Sequence, residues 1–335
     1  MQTLQLSIYT LAFLILLALA LDFLNGFQDA ANAIATVVST GVLKPRNAVI
    51  LAATCNFAAI FVFQLNVATT IAKDIVDPGA IDHHVVFGAL CGAIVWNLIT
   101  WYRSIPSSSS HALVGGLAGA AVAKSGTVFV VQAGLLKIAA FILLSPLLGF
   151  LLGSLMMVLV SWFFVHSTPR RVDKWFRRMQ LLSASMYSLG HGGNEAQKTI
   201  GIIWVLLIAS GYTSSEDALP SWVAISCYGV LSLGTLFGGW RIVQTMGQRI
   251  TKLRPVGGFC AETGGAMTLF MATYLGIPVS TTHTITGAII GVGSARKTSG
   301  VRWGVAGAIM WTWIFTMPAA AFLGALAWWV GTLIF

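Results

Sequence analysis

Four short blocks of the chain carry groups able to do chemistry, and all four interrupt apolar sequence. In the first, Asp22-Phe23-Leu24-Asn25-Gly26-Phe27-Gln28-Asp29-Ala30-Ala31-Asn32, the polar residues Asp22, Asn25, Asp29 and Asn32 recur at spacings of three and four. That spacing puts them on one face of a helix. The second block, His191-Gly192-Gly193-Asn194-Glu195-Ala196-Gln197-Lys198, sets Glu195, Gln197 and Lys198 close together. The third and fourth are Ile105-Pro106-Ser107-Ser108-Ser109-Ser110-His111 and Ile277-Pro278-Val279-Ser280-Thr281-Thr282-His283. Pro followed by Ser or Thr reads as a helix start. The unpaired N–H groups and positive dipole end of such a start make an anion site. Two starts, carrying the hydroxyls of Ser107–Ser110 and of Ser280, Thr281 and Thr282, suit a small tetrahedral oxyanion with acceptors in all directions.

The carboxylates complicate that picture. Asp22, Asp29 and Glu195 would repel an anion unless a bound cation, Lys198 or a proton intervenes. Ionisable groups at membrane depth are costly and mark function, so the conflict points to a cation and an anion that bind together. Glu262, in Phe259-Cys260-Ala261-Glu262-Thr263-Gly264-Gly265, is a further acid able to hold the cation or to sit near a loop. His111 and His283 stand at matched positions, where they would cap helices or bond the anion. Simpler roles exist. Membrane Ser and Thr often pack as hydroxyl-rich caps between helices, and Lys198 could pair with Asp22 or Glu195 only to hold helices together. A hydrolase using Ser108–Ser110 with His111 is disfavoured, because adjacent residues on one segment point in different directions.

The elements that must position these groups belong to a membrane. The 335 residues are 57% hydrophobic and only 9% charged, with a mean hydropathy of +0.84. A soluble domain carries about 25% charged residues. Runs near the ~20 residues that cross a bilayer recur throughout: Thr10–Leu24, Ala48–Phe63, Val85–Trp101, Ile138–Val165, Trp222–Trp240 and Gly304–Phe335. Ile138–Val165 and the last run are long enough for more than one element each. Ten to twelve inserted helices are expected, with re-entrant or discontinuous helices at the midplane, in an all-α polytopic protein. The amino-terminal run reads as a retained span, with no basic region before it and no small-residue cleavage site. Cys55, Cys91, Cys227 and Cys260 read as buried small hydrophobes. The net charge of +9 does not indicate nucleic acid. Its densest part, Arg170, Arg171, Lys174, Arg177 and Arg178, lies between apolar runs, as cytoplasmic loops do, and suits contact with anionic lipid.

The chain repeats itself. The two Pro-Ser/Thr-His blocks match at an offset of 172, and Gly92, Tyr102, Gly115, Gly119 and Pro146 extend the match to Gly264, Tyr274, Gly287, Gly291 and Pro318. The Asp22–Asn32 and His191–Lys198 blocks match at an offset of 166. Residues 1–165 and 187–335 are therefore read as two repeats, joined by a basic cytoplasmic linker over 166–186. Matching loops carry opposite charge. Lys44 and Arg46 correspond to Glu216 and Asp217, while Lys73, Asp74, Asp77 and Asp82 correspond to Arg241, Arg249, Lys252 and Arg254. Opposite charge places matching loops on opposite sides of the membrane, which is the inverted-topology architecture of many secondary transporters.

At these residues the chain resembles the PiT family of inorganic phosphate transporters. The stretches Asn25–Thr36 and His191–Gly201 resemble the family's two signatures, and Pro255–Glu262 and the Pro-Ser/Thr-His pair also fit. The likeness covers nearly the whole chain. It implies a non-enzymatic symporter importing inorganic phosphate with H+ or Na+ across the cell inner (cytoplasmic) membrane. On that reading Asn25, Ser107–Ser110, Asn194, Lys198, Ser280, Thr281 and Thr282 bind substrate. Asp22, Asp29, Asn32, Glu195, Gln197 and Glu262 serve the coupling cation, with Gln28, His111, His191 and His283 as further candidates. No cofactor is implied, and no metal beyond a Na+ at the coupling site. The cargo is phosphate, free or as a metal complex, and the partners are membrane lipid and a second copy in a homodimer. Two positions depart from the pattern: Gln28 stands where Asn or His is usual, and Glu195 where Asp is commoner. The Gln197-Lys198 pair is similar to the proton-coupled bacterial branch, since an ammonium beside Glu195 can stand in for a cation. Another oxyanion, sulfate or arsenate, or a passive anion channel are the competing readings.

Overall fold

A computed structural model describes residues 7–73, 82–126, 132–214, 217–296 and 300–334. Asp74, Asp77 and Glu216, used above for loop charge, lie outside the described residues. Among the described residues the chain is all helical. Twelve α-helices run in order: α1 Ile8–Ser39, α2 Pro45–Ala58, α3 Asn66–Lys73, α4 His83–Tyr102, α5 Ser109–Ser125 and α6 Gln132–Phe163. They continue with α7 Pro169–Ala209, α8 Ser221–Phe237, α9 Trp240–Gln244, α10 Pro255–Tyr274, α11 Thr281–Arg296 and α12 Trp303–Ile334. Helix is the answer the solvent demands, because hydrocarbon offers no partner to an unpaired backbone group.

Among the described residues four helices, α1, α4, α6 and α12, are long and apolar enough to cross a membrane alone. Two bent pairs raise that to six, and they fall at corresponding places in the two halves: Pro45–Phe61 with Asn66–Ala72, bent by 79°, and Ser221–Phe237 with Trp240–Arg249, bent by 64°. The apolar runs Ile138–Val165 and Gly304–Phe335, long enough for several elements, each form one helix instead, with Pro146 and Pro318 inside. A break there would leave several backbone groups unpaired in lipid, so the helix continues past its proline. The basic stretch expected as a linker also differs. From Pro169 onward it is the first part of α7, which runs for 41 residues into the core. Pro169 suits the first helical turn, and Asp173 pairs with Arg177 at 2.9 Å one turn later.

Packing interlocks the halves. α6 lies against α10 and α11, while α12 lies against α4 and α5; α1 packs on α8, and α7 on α2. Each half thus covers the other. The α1–α8 crossing is close because glycine meets backbone from both sides. A Cβ on Gly26 would stand 2.0 Å from the Leu231 carbonyl oxygen, and one on Gly234 2.2 Å from that of Phe23. Gly26 belongs to the first polar block, so this contact fixes where that block sits.

Gly26→Ala should therefore push α1 off α8 and cost at least the 1–3 kcal/mol or so of an overpacked core. Thermal unfolding of detergent-purified protein should show a clear fall. Gly307→Ala, with open space around its Cβ position, should not change the midpoint.

Candidate functional site

The two helix starts predicted from Pro106 and Pro278 meet in the middle of the protein. Ser108 caps α5, accepting from the His111 N–H at 3.2 Å; Ser280 does the same for His283 N–H on α11, also at 3.2 Å. The rings of His111 and His283 lie 4.7 Å apart, edge to face, and His283 stacks on Trp313 at 4.0 Å. The starts also bond across: Thr282 donates to the Ser107 carbonyl at 3.2 Å, and Ser110 to that of Val279 at 3.3 Å. Sequence offset matches Ser110 with Thr282 and Ser107 with Val279, so this pair of bonds obeys a two-fold relation.

The carboxylates obey it too. Ser109 Oγ lies 3.0 Å from Asp29 Oδ2, and its counterpart Thr281 Oγ1 lies 3.0 Å from Glu195 Oε1. Ser109 is also 3.3 Å from Glu195 Oε2, so its hydroxyl bridges the two acids, and Thr282 is 3.4 Å from Asp29 Oδ1. The next matched pair breaks the relation in charge. Asn32 donates to Thr282 at 2.9 Å and to Thr281 at 3.3 Å. Lys198, in the corresponding place, donates to Ser110, to Glu195 at 2.7 Å and to the Val279 carbonyl at 2.8 Å. Lys198 thus pairs with Glu195, while Asp29 has no ion pair among the described residues. Gln28 donates to Ser107 at 3.3 Å and Thr100 at 3.4 Å. Its counterpart Asn194 donates to Thr273 at 3.1 Å and to the Ile277 carbonyl at 3.2 Å, and accepts from the Val279 N–H at 3.2 Å. The polar side chains of this cluster are all buried, none more than 4% exposed.

Other candidates lie elsewhere. Asp22 accepts from Thr199 at 3.0 Å, and its second oxygen has no hydrogen-bond partner among the described residues. Asn25 accepts from Asn97 at 3.2 Å, and His191 meets Asn56 at 3.2 Å on the α2 side. Gln197, placed above with the cation ligands, instead caps α3. It accepts from the Val67 and Ala68 N–H groups at 2.9 and 3.3 Å and donates to the Gln64 carbonyl at 2.9 Å. Next to Lys198 in sequence, it lies about 100° round the helix from it. Glu262 also sits outside the central cluster, accepting from Thr36 at 2.6 Å, Gln180 at 2.9 Å and Ser183. Sequence reading missed Thr100, Asn97, Thr199, Thr273 and Tyr187, whose hydroxyl donates to the Thr281 carbonyl at 3.0 Å. Asn97 carried a signal, as a lone amide inside the apolar run Val85–Trp101.

This arrangement gathers hydroxyl, amide and ammonium donors around two buried carboxylates. The profile of the phosphate transporter family matches residues 25–324, which hold three of the four blocks whole and the first from Asn25 onward. The chain belongs to the phosphate transporter family. Among its relatives, a protein of Rhizobium meliloti (strain 1021) named "Probable low-affinity inorganic phosphate transporter" is 60% identical, over 97% of this chain and 99% of its own. A protein of the same name from Bacillus subtilis (strain 168) is 46% identical over 96% of this chain and 97% of its own. A solved structure named "The sodium-dependent phosphate transporter" aligns with a TM-score of 0.90 at 26% identity, covering 98% of this chain and all of that one. The family places the chain among multi-pass membrane transporters, not enzymes.

Lys198→Met should leave Glu195 charged and alone in the core, a change that costs about 3–5 kcal/mol. The unfolding midpoint in detergent should fall, and adding Glu195→Gln should restore most of the loss. A double variant as unstable as the single one would mean the pair is not the source.

Proposed function

We propose that this protein is a secondary active symporter that imports inorganic phosphate together with a proton. What carries the reading is the two-fold junction of α5 and α11, with the Ser109 hydroxyl bridging Asp29 and Glu195 and one ammonium paired with Glu195. Hydroxyl and amide donors and two helix N-termini suit phosphate oxygens. The acids suit cargo that shares protons or arrives with cations, which favours phosphate over sulfate. Lys198 occupies, beside Glu195, the place a mobile cation would take, so the remaining charge to be carried falls on Asp29. A proton on that carboxyl group suffices. Na+ coupling is the second reading, favoured by the structural relative, which is named as sodium-dependent. The two halves are read as inverted repeats, and alternating access as exposure of the buried site to one side and then the other. The full burial of the site fits a closed stage of that cycle.

Purified protein in liposomes should accumulate labelled phosphate when an inward proton gradient is imposed, with sulfate competing weakly. Accumulation driven only by Na+ would replace the proton reading, and uptake that ignores both gradients would make the protein a channel. Running the assay with and without Mg2+ separates free phosphate from a metal complex as cargo.

Asp29→Asn should lower concentrative uptake at least about tenfold, the equivalent of about 1.4 kcal/mol. Asp22→Asn should do the same if its free oxygen serves the coupling ion, and normal uptake would make Asp22 structural. Lys198→Asn, which copies Asn32 into the second half, should bring in dependence on Na+. Each is read from gradient-driven uptake after matched reconstitution.

A further inference from the structure

The two halves agree closely at the centre and disagree sharply one layer out. In one seam, between α1, α7 and α10, Thr36, Gln180 and Ser183 all donate to the Glu262 carboxylate. The same offsets that pair the central residues pair these with Ile202, Leu14, Leu17 and Leu90. Those four belong to the seam between α7, α1 and α4, where Leu14, Leu90 and Ile202 are buried in one apolar cluster and Leu17 packs against it. The fold therefore needs no carboxylate there, because its twin closes with leucine. Burying an acid inside a membrane protein is costly, so the polar seam serves something besides packing.

What it offers is easy separation. A hydrogen-bonded seam can exchange its bonds for water at small net cost, whereas a leucine seam loses stability with all the apolar surface that is wetted. The polar seam is also continuous with both the site and the surface. Thr36 lies one helical turn beyond Asn32, and Tyr187, one turn beyond Ser183, bonds the Thr281 carbonyl. In the other direction Thr40 donates to Gln180 at 2.9 Å. Thr40 then lines a surface cavity of about 660 Å3 together with Arg170, Lys174, Arg177 and Arg254. The first turns of α7 and α10, at Pro169 and Pro255, border the same cavity. The one acid on its wall, Asp173, is paired with Arg177.

We propose that the α1–α7–α10 seam is the water-filled route by which phosphate leaves the central site, with Glu262 and its three donors as the gate and the basic cavity as the cytoplasmic mouth. A carboxylate on the wall denies the anion a resting place between two attractive sites, so cargo passes through. The seam α7–α1–α4 stays dry. The cytoplasmic direction rests on the transport reading above and on the basic residues in the first turns of α7.

Accessibility tests the route directly. Thr36→Cys and Ile202→Cys are each placed in a chain whose four cysteines are replaced by alanine, and membrane vesicles of both orientations are treated with a charged thiol reagent during phosphate transport. A thiol in water ionises and reacts, whereas one in apolar surroundings does not. Thr36→Cys should react at least about tenfold faster than Ile202→Cys, only when reagent faces the cytoplasmic side. Equal slow reaction at both positions would overturn the route, and reaction from the external side alone would overturn its direction. Phosphate uptake by the unaltered chain in the same vesicles reports on the transport reading separately. A second variant, with Thr36→Ile, Gln180→Leu, Ser183→Leu and Glu262→Leu, copies the dry seam. It should keep phosphate-dependent thermal stabilisation in detergent and lose net uptake, and uptake at the parental rate would sink the proposal.

Discussion

The ion pair of Lys198 with Glu195 is the interaction on which the centre of this protein depends. The ammonium reaches from α7 to Ser110 of α5 and to the Val279 carbonyl before α11, while Glu195 is bonded by Thr281 and approached by Ser109. One charged side chain thus ties together both helix starts and the helix that carries it. Buried ion pairs add little net stability over apolar packing, but losing one partner is severe. The pair is better understood as fixing geometry. It orients the hydroxyls of Ser110 and Thr281 and leaves Asp29, its two-fold counterpart, as the carboxylate that must find a cation or proton elsewhere.

The membrane explains why the site takes this form. Non-helical backbone at depth survives only where protein covers it or where it lines a cavity. The segments before α5 and α11 meet that condition by facing each other, each bonding the other's carbonyl through Thr282 and Ser110. Long helices enclose the junction. α6 and α12 cross over to pack on the opposite half, so neither half can hold its helix start in place without the other. Binding chemistry and fold stability therefore share the same contacts.

Repetition makes departures from symmetry informative. Asn32 and Lys198 are matched, yet one is neutral and the other charged, and this sets the electrostatic balance around Asp29 and Glu195. Glu262 and Leu90 are matched, yet one lies in a hydrogen-bonded seam and the other in a leucine core. The first difference lies beside a junction whose hydrogen bonds repeat across the two halves.

Much of this was legible in the residues themselves. Composition dictates a membrane protein, because so few charges cannot cover a watery surface. Pro106 and Pro278 announce helix starts, because proline has no N–H to give, and the spacing of Asp22, Asn25, Asp29 and Asn32 puts them on one face because a helix turns every 3.6 residues. The offset between the halves predicts that Ser109 with Asp29 and Thr281 with Glu195 belong to equivalent places. What sequence spacing does not carry is which helix lies opposite a given face. Gln197 sits beside Lys198 in the chain but turns to cap α3, and Glu262 carries the same charge as Glu195 yet meets Gln180 and Thr36 in a separate seam. The bridging of Asp29 and Glu195 by Ser109, and the reach of Lys198 to Ser110 and Val279, were decided only when four distant segments packed together, because hydrogen bonds between helices depend on distances that periodicity along one helix does not set.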